Sequence, residues 1–484
     1  MANGGIIGTV NNPTSSTATG VWQQEEQYEA KVTGTWPQRA LFTTKSARFN
    51  SASSDYMTKS NSSTGSTTKA TISMWIKFSS VLTNQALWEN YSDGSNYLRL
   101  RYRSDASLAV QVDLSNSTDV LKITTRKFRD PSAWYHIVLA INLADGTQED
   151  KYILYINGVR ETSFSTNNNT ANTSGNYVGG GNGFNFTIGR HPSSDAYYDG
   201  YMSEYVFVDG QNLAPTSFGV ANSSGFWSPI PYAGTFGTNG FNLQFENAAA
   251  LGTDSSPNSN TFTVNNLTSI DQSTDYPVVN FATLNPLIRT YGTQVFSNGN
   301  LTSLNATNEP AWAHTLSSIG VSNGKWYWEI KVSGSTPWIW TGVISEAVDV
   351  RTQYLYNENT GTFLYGNNGN KYLNGSAASS FFATLATNDI ASVALDLDNN
   401  KITFYKNGTA TPNATPLDLP ANLSSTTVFP ATTLVNGASI SINFGSAPYA
   451  ISSGNADANG YGNFEYAVPS GYYSINTANL AEFG

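Results

Sequence analysis

The stretch YILYING at residues 152–158 decides the fold class of this chain. A short apolar and aromatic run is typical of a β-strand, and the Asn-Gly pair that ends it is the strongest short signal for a β-hairpin. The residues VRE at 159–161 then supply the return strand. TISMWIKF (71–78) and YLRLRY (97–102) alternate apolar and polar residues, and WYHIVLAI (134–141) is a further strand. Short strands separated by Gly, Asn, Asp and Ser predict an all-β sandwich.

A second strand-rich block lies further along the chain. It contains KWYWEIKV (325–332), a strand at 390–397, and a strand at 401–405 that is followed by a second Asn-Gly pair. Both blocks contain a strand that ends in an Asn-Gly hairpin turn, but they do not repeat one another in sequence. We therefore predict an all-β protein with two β-sandwich domains and a short N-terminal arm. The predicted parts are the arm (1–38), a first sandwich (39–231), a connector (232–290), a second sandwich (291–450) and a C-terminal segment (451–484).

The N-terminal arm combines an extended stretch with one predicted helix. Residues 8–20 are rich in Asn, Thr and Ser, whereas residues 20–32 are rich in helix formers. An arm of this length is too short to form a core, so it is either a tail or an anchor that a partner orders. Because exposed aromatic side chains are unfavourable, we favour an anchor with its contacts at Trp22, Tyr28 and Trp36.

The composition excludes several classes of function. The 484 residues include no Cys and three His, so disulfides, thiolate nucleophiles and Cys-ligated metals are ruled out. The net charge of −10 argues against a nucleic-acid partner, because phosphate binding requires a basic face. The chain shows neither a secretory signal nor an apolar run of the roughly 18 residues that span a membrane, so we expect a cytoplasmic product without membrane insertion.

The surface chemistry allows two readings of where the protein works. Charged residues make up only 12% of the chain, so neutral Asn, Ser and Thr must cover much of the surface. Such a surface avoids strong electrostatic fields and suits a particle that is assembled in a cell and then released. A cytosolic protein from a proteome that uses little Cys has the same composition.

Three motifs of the first block resemble those of a laminin-G-like, concanavalin-like jelly roll. They are WYHIV (134–138), LYING (154–158), and GR (189–190) followed by YMSEYVF (201–207). Their order and spacing agree with that family. An acidic position in the family's closing strand is occupied by Ser203 here. This departure bears on the calcium site that members of the family often carry.

The motifs of the second block resemble those of a SPRY domain, and this match is the more specific one. GKWYWEI (324–330) is similar to the family's signature. VALDLD (393–398) and ITFYKNG (402–408) are similar to the strand pair that follows it. VFPA (428–431) and INFG (442–445) agree with the later strands. The resemblance implies that this block is a second β-sandwich.

The combined layout resembles bacteriophage virion proteins, notably tail fibres. The resemblance rests on GTWP (34–37) in the arm, FTVNNLT (262–268) and NFATLNP (280–286) in the connector, and GNFEY (462–466) near the end. It implies a tail-fibre or receptor-binding protein that is assembled in the host cytoplasm. Residues 1–38 are expected to attach it to other virion proteins, and the sandwiches to recognise a host surface glycan or protein. A homotrimer is expected.

Two other interpretations stay open at this point. A head decoration or baseplate component would use its β domains only to cover and brace neighbouring proteins. A SPRY adaptor would bind a peptide in the loops of residues 340–380. The arm discriminates against the adaptor, which has no use for a virion anchor.

The candidate ligand-binding residues are aromatic side chains, which stack on sugar rings beside Asn and Asp that bond hydroxyl groups. Tyr197 and Tyr198 lie beside turn residues and are predicted to belong to a loop-borne site. Tyr354 and Tyr356 are the candidates in the second sandwich. Tryptophans two residues apart share one face of a strand, so we predict core packing for Trp326, Trp328, Trp338 and Trp340.

No catalytic constellation is recognised in the sequence. Jelly-roll glycosidases place two or three carboxylates at a spacing of two on one strand, and no E-x-D-x-x-E run occurs. His136 lies in a hydrophobic strand and is predicted to be a hydrogen-bonded structural residue, while His191 and His314 have no flanking nucleophile motif. We therefore expect a protein that is not an enzyme and that needs no cofactor.

One loop has the oxygen ligands that a calcium ion prefers. Asp254, Asn258 and Asn260 form a D-x-x-x-N-x-N pattern. The alternative is an Asx-turn loop that needs no ion, because Asp and Asn side chains bond their own backbone in turns. We favour the turn.

Overall fold

A computed structural model describes residues 43–81, 83–115, 117–169, 174–192, 196–222, 225–288, 293–306, 312–334, 338–351, 361–413 and 415–484. The predicted arm (1–38), with its helix at 20–32, lies outside the described residues. The rest is almost entirely β structure, which confirms the predicted fold class.

The first part of the described chain folds into a sandwich of two antiparallel sheets. Its strands are β1 (Ser46–Phe49), β2 (Tyr56–Ser60), β3 (Lys69–Phe78), β4 (Gln85–Asp93), β5 (Asn96–Tyr102), β6 (Leu108–Leu114), β7 (Ser117–Thr124), β8 (Tyr135–Asn142), β9 (Tyr152–Ile156), β10 (Val159–Arg160), β11 (Phe164–Asn169), β12 (Asn185–Ile188), β13 (Gly200–Asp209), β14 (Gly219–Ala221), β15 (Trp227–Pro229), β16 (Phe241–Leu243), β17 (Thr263–Asn265) and β18 (Gln272–Ser273). Sheet A has the order β10-β9-β8-β3-β13-β1-β18, with β16 also paired to β13. Sheet B has the order β11-β7-β6-β5-β4-β12-β2-β17.

The alternation read from the sequence accounts for the core of this sandwich. Ile72, Met74 and Ile76 of β3 are fully buried between the two sheets. The opposite face of β3 is covered as well, since Trp75 packs in a cluster that includes Trp227 of β15. The small β14-β15 sheet thus shields the outer face of sheet A, and β3 is buried on both sides.

The second part of the chain forms another two-sheet sandwich. Its strands are β19 (Gln294–Ser297), β20 (Thr302–Asn305), β21 (Ala313–Leu316), β22 (Lys325–Ser333), β23 (Ile339–Ser345), β24 (Thr362–Gly366), β25 (Lys371–Leu373), β26 (Ser376–Ala378), β27 (Ile390–Asp396), β28 (Lys401–Lys406), β29 (Thr409–Ala410), β30 (Leu417–Asp418), β31 (Val428–Leu434), β32 (Ser439–Asn443) and β33 (Tyr473–Ser474). Two short helices are α1 (Ala421–Ser424) and α2 (Thr477–Phe483). Sheet C has the order β19-β20-β32-β22-β27-β28-β29, and sheet D the order β21-β31-β23-β24-β25-β26. No helix in the described ranges is both long and apolar enough to cross a membrane.

Tryptophans of β22 fill the core of the second sandwich, as predicted. Trp326 and Trp328 are fully buried among the apolar side chains between sheets C and D. Trp340 of β23 is also buried, on the other face of sheet D, where its ring centroid lies 4.5 Å from that of Trp312. Trp338 departs from the prediction of core packing, because it precedes β23 and its side chain is 52% exposed.

The predicted connector is part of both sandwiches rather than a linker between them. Its strand β16 pairs with β13, and β17 pairs with β2. Phe241 and Phe262 are buried in the first core, whereas Leu284 is buried in the second. The first sandwich therefore extends through β18, well past the predicted boundary at residue 231.

The C-terminal segment (451–484) is packed against sheet C, and this includes its Gly- and Asn-rich stretch at residues 451–462. Strand β33 pairs in parallel with β22. Phe464 is fully buried against Tyr327, with ring centroids 5.1 Å apart. Asp457 accepts hydrogen bonds from the backbone N–H and the hydroxyl of Ser474, and these bonds hold the Gly- and Asn-rich stretch in place.

Buried hydrogen bonds join the two sandwiches directly. Arg48 of β1 is buried, and its guanidinium donates to the carbonyl of Ala447, 3.3 Å away. In the other direction, the side chain of Asn300 donates to the carbonyl of Ser79 at 2.9 Å. A buried polar group that loses its partner costs about 1–3 kcal/mol. Such contacts therefore favour one fixed arrangement of the two sandwiches.

Candidate functional site

The outward face of sheet B carries an unusual set of charged and aromatic side chains. In β5, Leu98, Leu100 and Tyr102 point into the core. Because successive side chains of a strand alternate between faces, Arg99 and Arg101 point away from it. The register places Arg99 opposite Glu89 of β4 and opposite Gln111 of β6.

Glu89 lies beneath the other polar side chains on this face of sheet B. Its side chain is fully buried, and Nδ1 of His191 lies 2.8 Å from one carboxylate oxygen and 2.9 Å from the other. Burial raises the pKa of the Glu89 carboxyl above its ordinary value, and the hydrogen bond from His191 opposes that shift. His191 reaches Glu89 from the loop after β12, which is the strand paired with β4.

Arg99 completes a hydrogen-bonded chain with these two residues. Its Nη1 donates to Nε2 of His191 at 3.1 Å, and its Nη2 donates to Oε1 of Gln111 at 2.9 Å. Because Nε2 of His191 accepts a hydrogen bond, the proton of the neutral ring sits on Nδ1, where it faces Glu89. Every hydrogen-bonding atom of His191 is thus engaged, and Arg99 is held in one orientation.

Arg101 differs from Arg99 in having no acceptor. Across the described ranges its guanidinium makes no hydrogen bond, and its Nε is buried without a partner. Burial lowers the pKa of Arg101 to about 10, with Arg99 and Arg103 adding like-charge repulsion. A half-buried guanidinium with unused donors is costly to retain unless something outside the chain accepts from it.

These side chains surround a shallow pocket, which we call the arginine pocket. It has a volume of about 260 Å³. Its lining includes Asn84, Glu89, Arg99, Arg101, His191 and Ala196. Pockets of this kind, with a few convergent polar groups and a carboxyl of perturbed pKa, are the default location for a binding site.

Arg190, the residue before His191, lies against two tyrosines, Tyr197 of the same loop and Tyr56 at the start of β2. The Cζ atom of Arg190 lies 4.9 Å from the ring centroid of Tyr56 and 5.6 Å from that of Tyr197. The two tyrosine rings are 6.3 Å apart and tilted. Cation–π contacts of this kind favour a fixed position for the arginine and for the two rings.

Each sandwich matches a known protein family. Residues 51–212 match the family described as concanavalin A-like lectin/glucanases superfamily. Residues 325–447 match the SPRY domain family. The chain contains a concanavalin A-like domain followed by a SPRY domain.

Parts of this chain are similar to several solved structures at low identity and low TM-score. The SPRY domain of human HERC1 is 20% identical, covering 31% of this chain and 91% of that one with a TM-score of 0.26. The TRIM65 PSpry domain is 15% identical, covering 33% of this chain and 89% of that one with a TM-score of 0.28. A native heptameric SAP-like pentraxin from Limulus polyphemus is 14% identical, covering 35% of this chain and 77% of that one with a TM-score of 0.25.

The structure separates the two tyrosines predicted for a loop-borne site in the concanavalin A-like domain. Tyr197 is half-buried and directly follows Ala196, which lines the arginine pocket. Tyr198 is fully buried, and its hydroxyl donates to the carbonyls of Lys77 and Tyr201. The prediction that Tyr198 contacts a ligand is therefore wrong, because the chain turns inward at this residue.

Five other predicted site residues cannot be placed. Tyr354 and Tyr356 of the SPRY domain lie outside the described residues. The proposed anchor residues Trp22, Tyr28 and Trp36 lie outside them as well. They stay predictions.

The loop of the candidate calcium site is built from Asx-type hydrogen bonds. The carboxylate of Asp254 accepts from the N–H groups of Asn242, Ser256 and Asn260 at 2.7–2.8 Å. The side-chain amide of Asn258 donates to the carbonyl of Gly240 at 2.8 Å, and Asn260 does the same at 2.9 Å. The amide nitrogens thus point inward and the carboxylate is already occupied, which is the arrangement of the turn alternative.

Two further positions named from the sequence have structural roles in the concanavalin A-like domain. Ser203, which replaces an acidic residue of the family, is buried and donates to the carbonyl of Lys45 at 2.8 Å. His136 is buried between Ser73 and Trp227, with a hydrogen bond of 2.8 Å to each. Burial lowers the pKa of His136 to about 3, so its ring stays neutral.

The residues of the arginine pocket were not predicted as a site. The spacing of the two arginines in YLRLRY was the available signal, since it places both on one face of a strand. Nothing local links them to Glu89 or His191. Those residues meet only because β12 pairs with β4 and β4 with β5.

Proposed function

We propose that this protein is an adhesive binding protein whose concanavalin A-like domain holds a ligand in the arginine pocket. The observation that carries the proposal is the half-buried guanidinium of Arg101, which has no acceptor in the described part of the chain. His191 is hydrogen-bonded to both Glu89 and Arg99. Arg101 has no such bond with any described residue, and its guanidinium donors are open to a ligand from outside.

We further propose that the protein is a phage tail fibre or receptor-binding protein. The support is the order of parts in the sequence, with an aromatic arm before two β-sandwiches, and the neutral, Cys-free composition. In this proposal residues 1–38 attach the chain to other virion proteins, a homotrimer forms, and the pocket faces a host surface glycan or protein. The protein carries out recognition without catalysis.

The adhesion proposal is tested by competition. Purified full-length protein is added to host cells before the phage, and adsorption is measured with wild-type protein and with the Arg101→Gln variant. We expect wild-type protein to reduce adsorption and the variant to do so much less. Failure of both to bind cells would remove the adhesive role and favour a head decoration or baseplate component.

The attachment proposal needs a separate experiment. A chain that lacks residues 1–38 is expected to retain both folded domains and to be missing from assembled particles. Incorporation is measured by immunoblot of purified virions, and folding by circular dichroism. Normal incorporation of the shortened chain would exclude the arm as the anchor.

A further inference from the structure

The charge of β5 is at odds with that of the chain as a whole. The protein carries 34 acidic and 24 basic residues. Yet Arg99, Arg101 and Arg103 occupy every second position from 99 to 103, the first two in β5 and the third directly after it. Like charges this close repel one another. Three of the few charged residues of this chain therefore lie close together, in an arrangement that electrostatic repulsion disfavours.

The neighbouring carboxylates compensate only part of this charge. Glu89 is shared with His191 and lies beside Arg99. Arg103 lies 3.6 Å from a carboxylate oxygen of Asp105. Asp113 accepts from the hydroxyl of Tyr97 and from the amide of Gln111. Within the described ranges, Arg101 is the arginine of the three that has neither an ion-pair nor a hydrogen-bond partner, although the Glu89 carboxylate is close enough to attract it.

The size and rim of the pocket restrict the ligand. A volume of about 260 Å³ matches a group of about the size of a single sugar ring. At the rim, Oδ1 of the exposed Asn84 accepts from the N–H of Ser104 at 3.1 Å. This bond leaves the amide NH₂ of Asn84 as a donor for a hydroxyl group.

We propose that the arginine pocket binds a hexuronate residue of an acidic saccharide, with the sugar carboxylate on Arg101. A planar carboxylate matches the fork of a guanidinium in two parallel hydrogen bonds, a geometry that a hydroxymethyl group cannot reproduce. The bound anion also relieves the repulsion between Arg101 and Arg99. This inference rests on the proposed adhesive function and names its ligand class.

The test compares hexuronates with their neutral counterparts, so that the two sugars of each pair differ only at C6. Binding of glucuronate, galacturonate, glucose, galactose and galactose 6-sulfate to the full-length protein is measured by titration calorimetry at low salt. We expect at least one hexuronate to bind at least tenfold more tightly than its neutral counterpart. Arg101→Gln should remove this preference, and Arg101→Lys should weaken it, because lysine keeps the charge without the fork.

Arg103→Gln is the matched control, since Arg103 directly follows β5, does not line the pocket and has Asp105 as its partner. It should bind hexuronate like the wild type. Equal binding of acidic and neutral sugars, or equal binding by the Arg101 and Arg103 variants, would overturn the inference. Tighter binding of galactose 6-sulfate would overturn the carboxylate assignment.

The outcomes separate this inference from the adhesive function. If the protein blocks phage adsorption but shows no preference for hexuronates, adhesion stands and the ligand class is wrong. If the protein prefers hexuronates but does not compete for adsorption, the ligand class stands and the adhesive role is wrong.

Discussion

Lys77 and Asp275 form a buried ion pair between the first sandwich and the chain that leads to the second. Nζ of Lys77 lies 2.8 Å from a carboxylate oxygen of Asp275, and both side chains are almost fully inaccessible. Asp275 also accepts from Nε1 of Trp134 at 2.9 Å, and Lys77 also donates to Oδ1 of Asn280 at 2.7 Å. Each charge is therefore both paired and hydrogen-bonded, which is the condition for burying charges in a protein interior.

Removing one partner of this pair should destabilise the protein strongly. We expect Lys77→Met to lower the free energy of unfolding by about 3–5 kcal/mol, because Asp275 would be left as an unpaired buried charge. Lys401→Met is the control, since its partner Asp418 is 86% exposed and such pairs contribute at most about 1 kcal/mol. Thermal unfolding is measured for both. A similar melting temperature for the two variants would contradict the role assigned to Lys77.

A glycine at the junction of the sandwiches gives a second test of their fixed arrangement. Gly299 has φ of +70°, and its carbonyl accepts from the hydroxyl of Tyr201 at 2.8 Å. A Cβ atom there would lie 2.1 Å from that hydroxyl oxygen. We expect Gly299→Ala to disrupt the junction and to lower the melting temperature.

Gly471→Ala is the control that separates the effect of backbone strain from the effect of the contact between residue 299 and Tyr201. Gly471 has φ of +79°, and an added Cβ would meet no described atom within 4 Å. The variant should therefore show only the backbone penalty of roughly 1 kcal/mol. Overpacking should add about 1–3 kcal/mol at Gly299. Small-angle scattering would show whether the arrangement of the sandwiches changes in Gly299→Ala alone, and equal behaviour of the two variants would argue against a tight junction.

The strands were predictable because their signal is local. The alternation in TISMWIKF and the Asn-Gly pair after YILYI are written in adjacent residues, and the structure has strands at Lys69–Phe78 and Tyr152–Ile156. The connector was misjudged for the opposite reason. The strand Phe241–Leu243 pairs with β13, which lies more than 30 residues earlier in the chain. Pairing over that distance leaves no trace in local composition.

The arginine pocket, too, was predictable where its signal is local and unpredictable where it depends on long-range strand pairing. The outward orientation of Arg99 and Arg101 follows from strand alternation alone, whereas their approach to His191 depends on three paired strands. Tyr198 was assigned to a loop site because turn residues flank it. Its aromatic ring instead enters the core, where it lies 5.8 Å from that of Phe49. A side chain next to a turn can point either way, and composition does not decide which.

The C-terminal segment depends on one buried carboxylate, Glu329 of β22. It accepts from the N–H groups of Glu465 at 3.0 Å and Tyr466 at 2.8 Å. We expect Glu329→Gln to release this segment, because the amide NH₂ would face donors, at a cost of about 1–3 kcal/mol. Hydrogen exchange measured by mass spectrometry should show faster exchange in residues 464–484 than in the rest of the SPRY domain. The exposed Asp349→Asn serves as the control and should leave exchange unchanged.

Stability should rise as the pH falls from 8 to about 5.5. Burial raises the pKa of Asp55 and of Glu204 to about 7, and that of Asp199 to about 6. The folded protein therefore binds more protons than the unfolded chain in this range, and its stability is lost as the pH rises through these values. Melting temperatures measured between pH 8 and 5.5 test whether stability rises or falls as the pH falls. Asp199→Asn should flatten the curve, and a stability that increases towards pH 8 would contradict the prediction.

Two tryptophans of the SPRY domain that lie two residues apart should respond differently to truncation. Trp340 is 4% exposed and packs edge-on against Tyr372, with ring centroids 6.0 Å apart. Trp340→Ala should therefore cost about 3–5 kcal/mol. Trp338 is 52% exposed, so Trp338→Ala should change the free energy of unfolding by less than about 0.5 kcal/mol.

The comparison of these variants also gives a test of the SPRY domain's part in adhesion. Because Trp338→Ala leaves the fold intact in this prediction, any loss of cell binding by that variant reports a lost contact rather than unfolding. Thermal melts are measured first, and cell binding is then measured for the variant that keeps its stability. If Trp338→Ala unfolds as readily as Trp340→Ala, the side chain is not an exposed group, and cell binding by that variant carries no information about recognition.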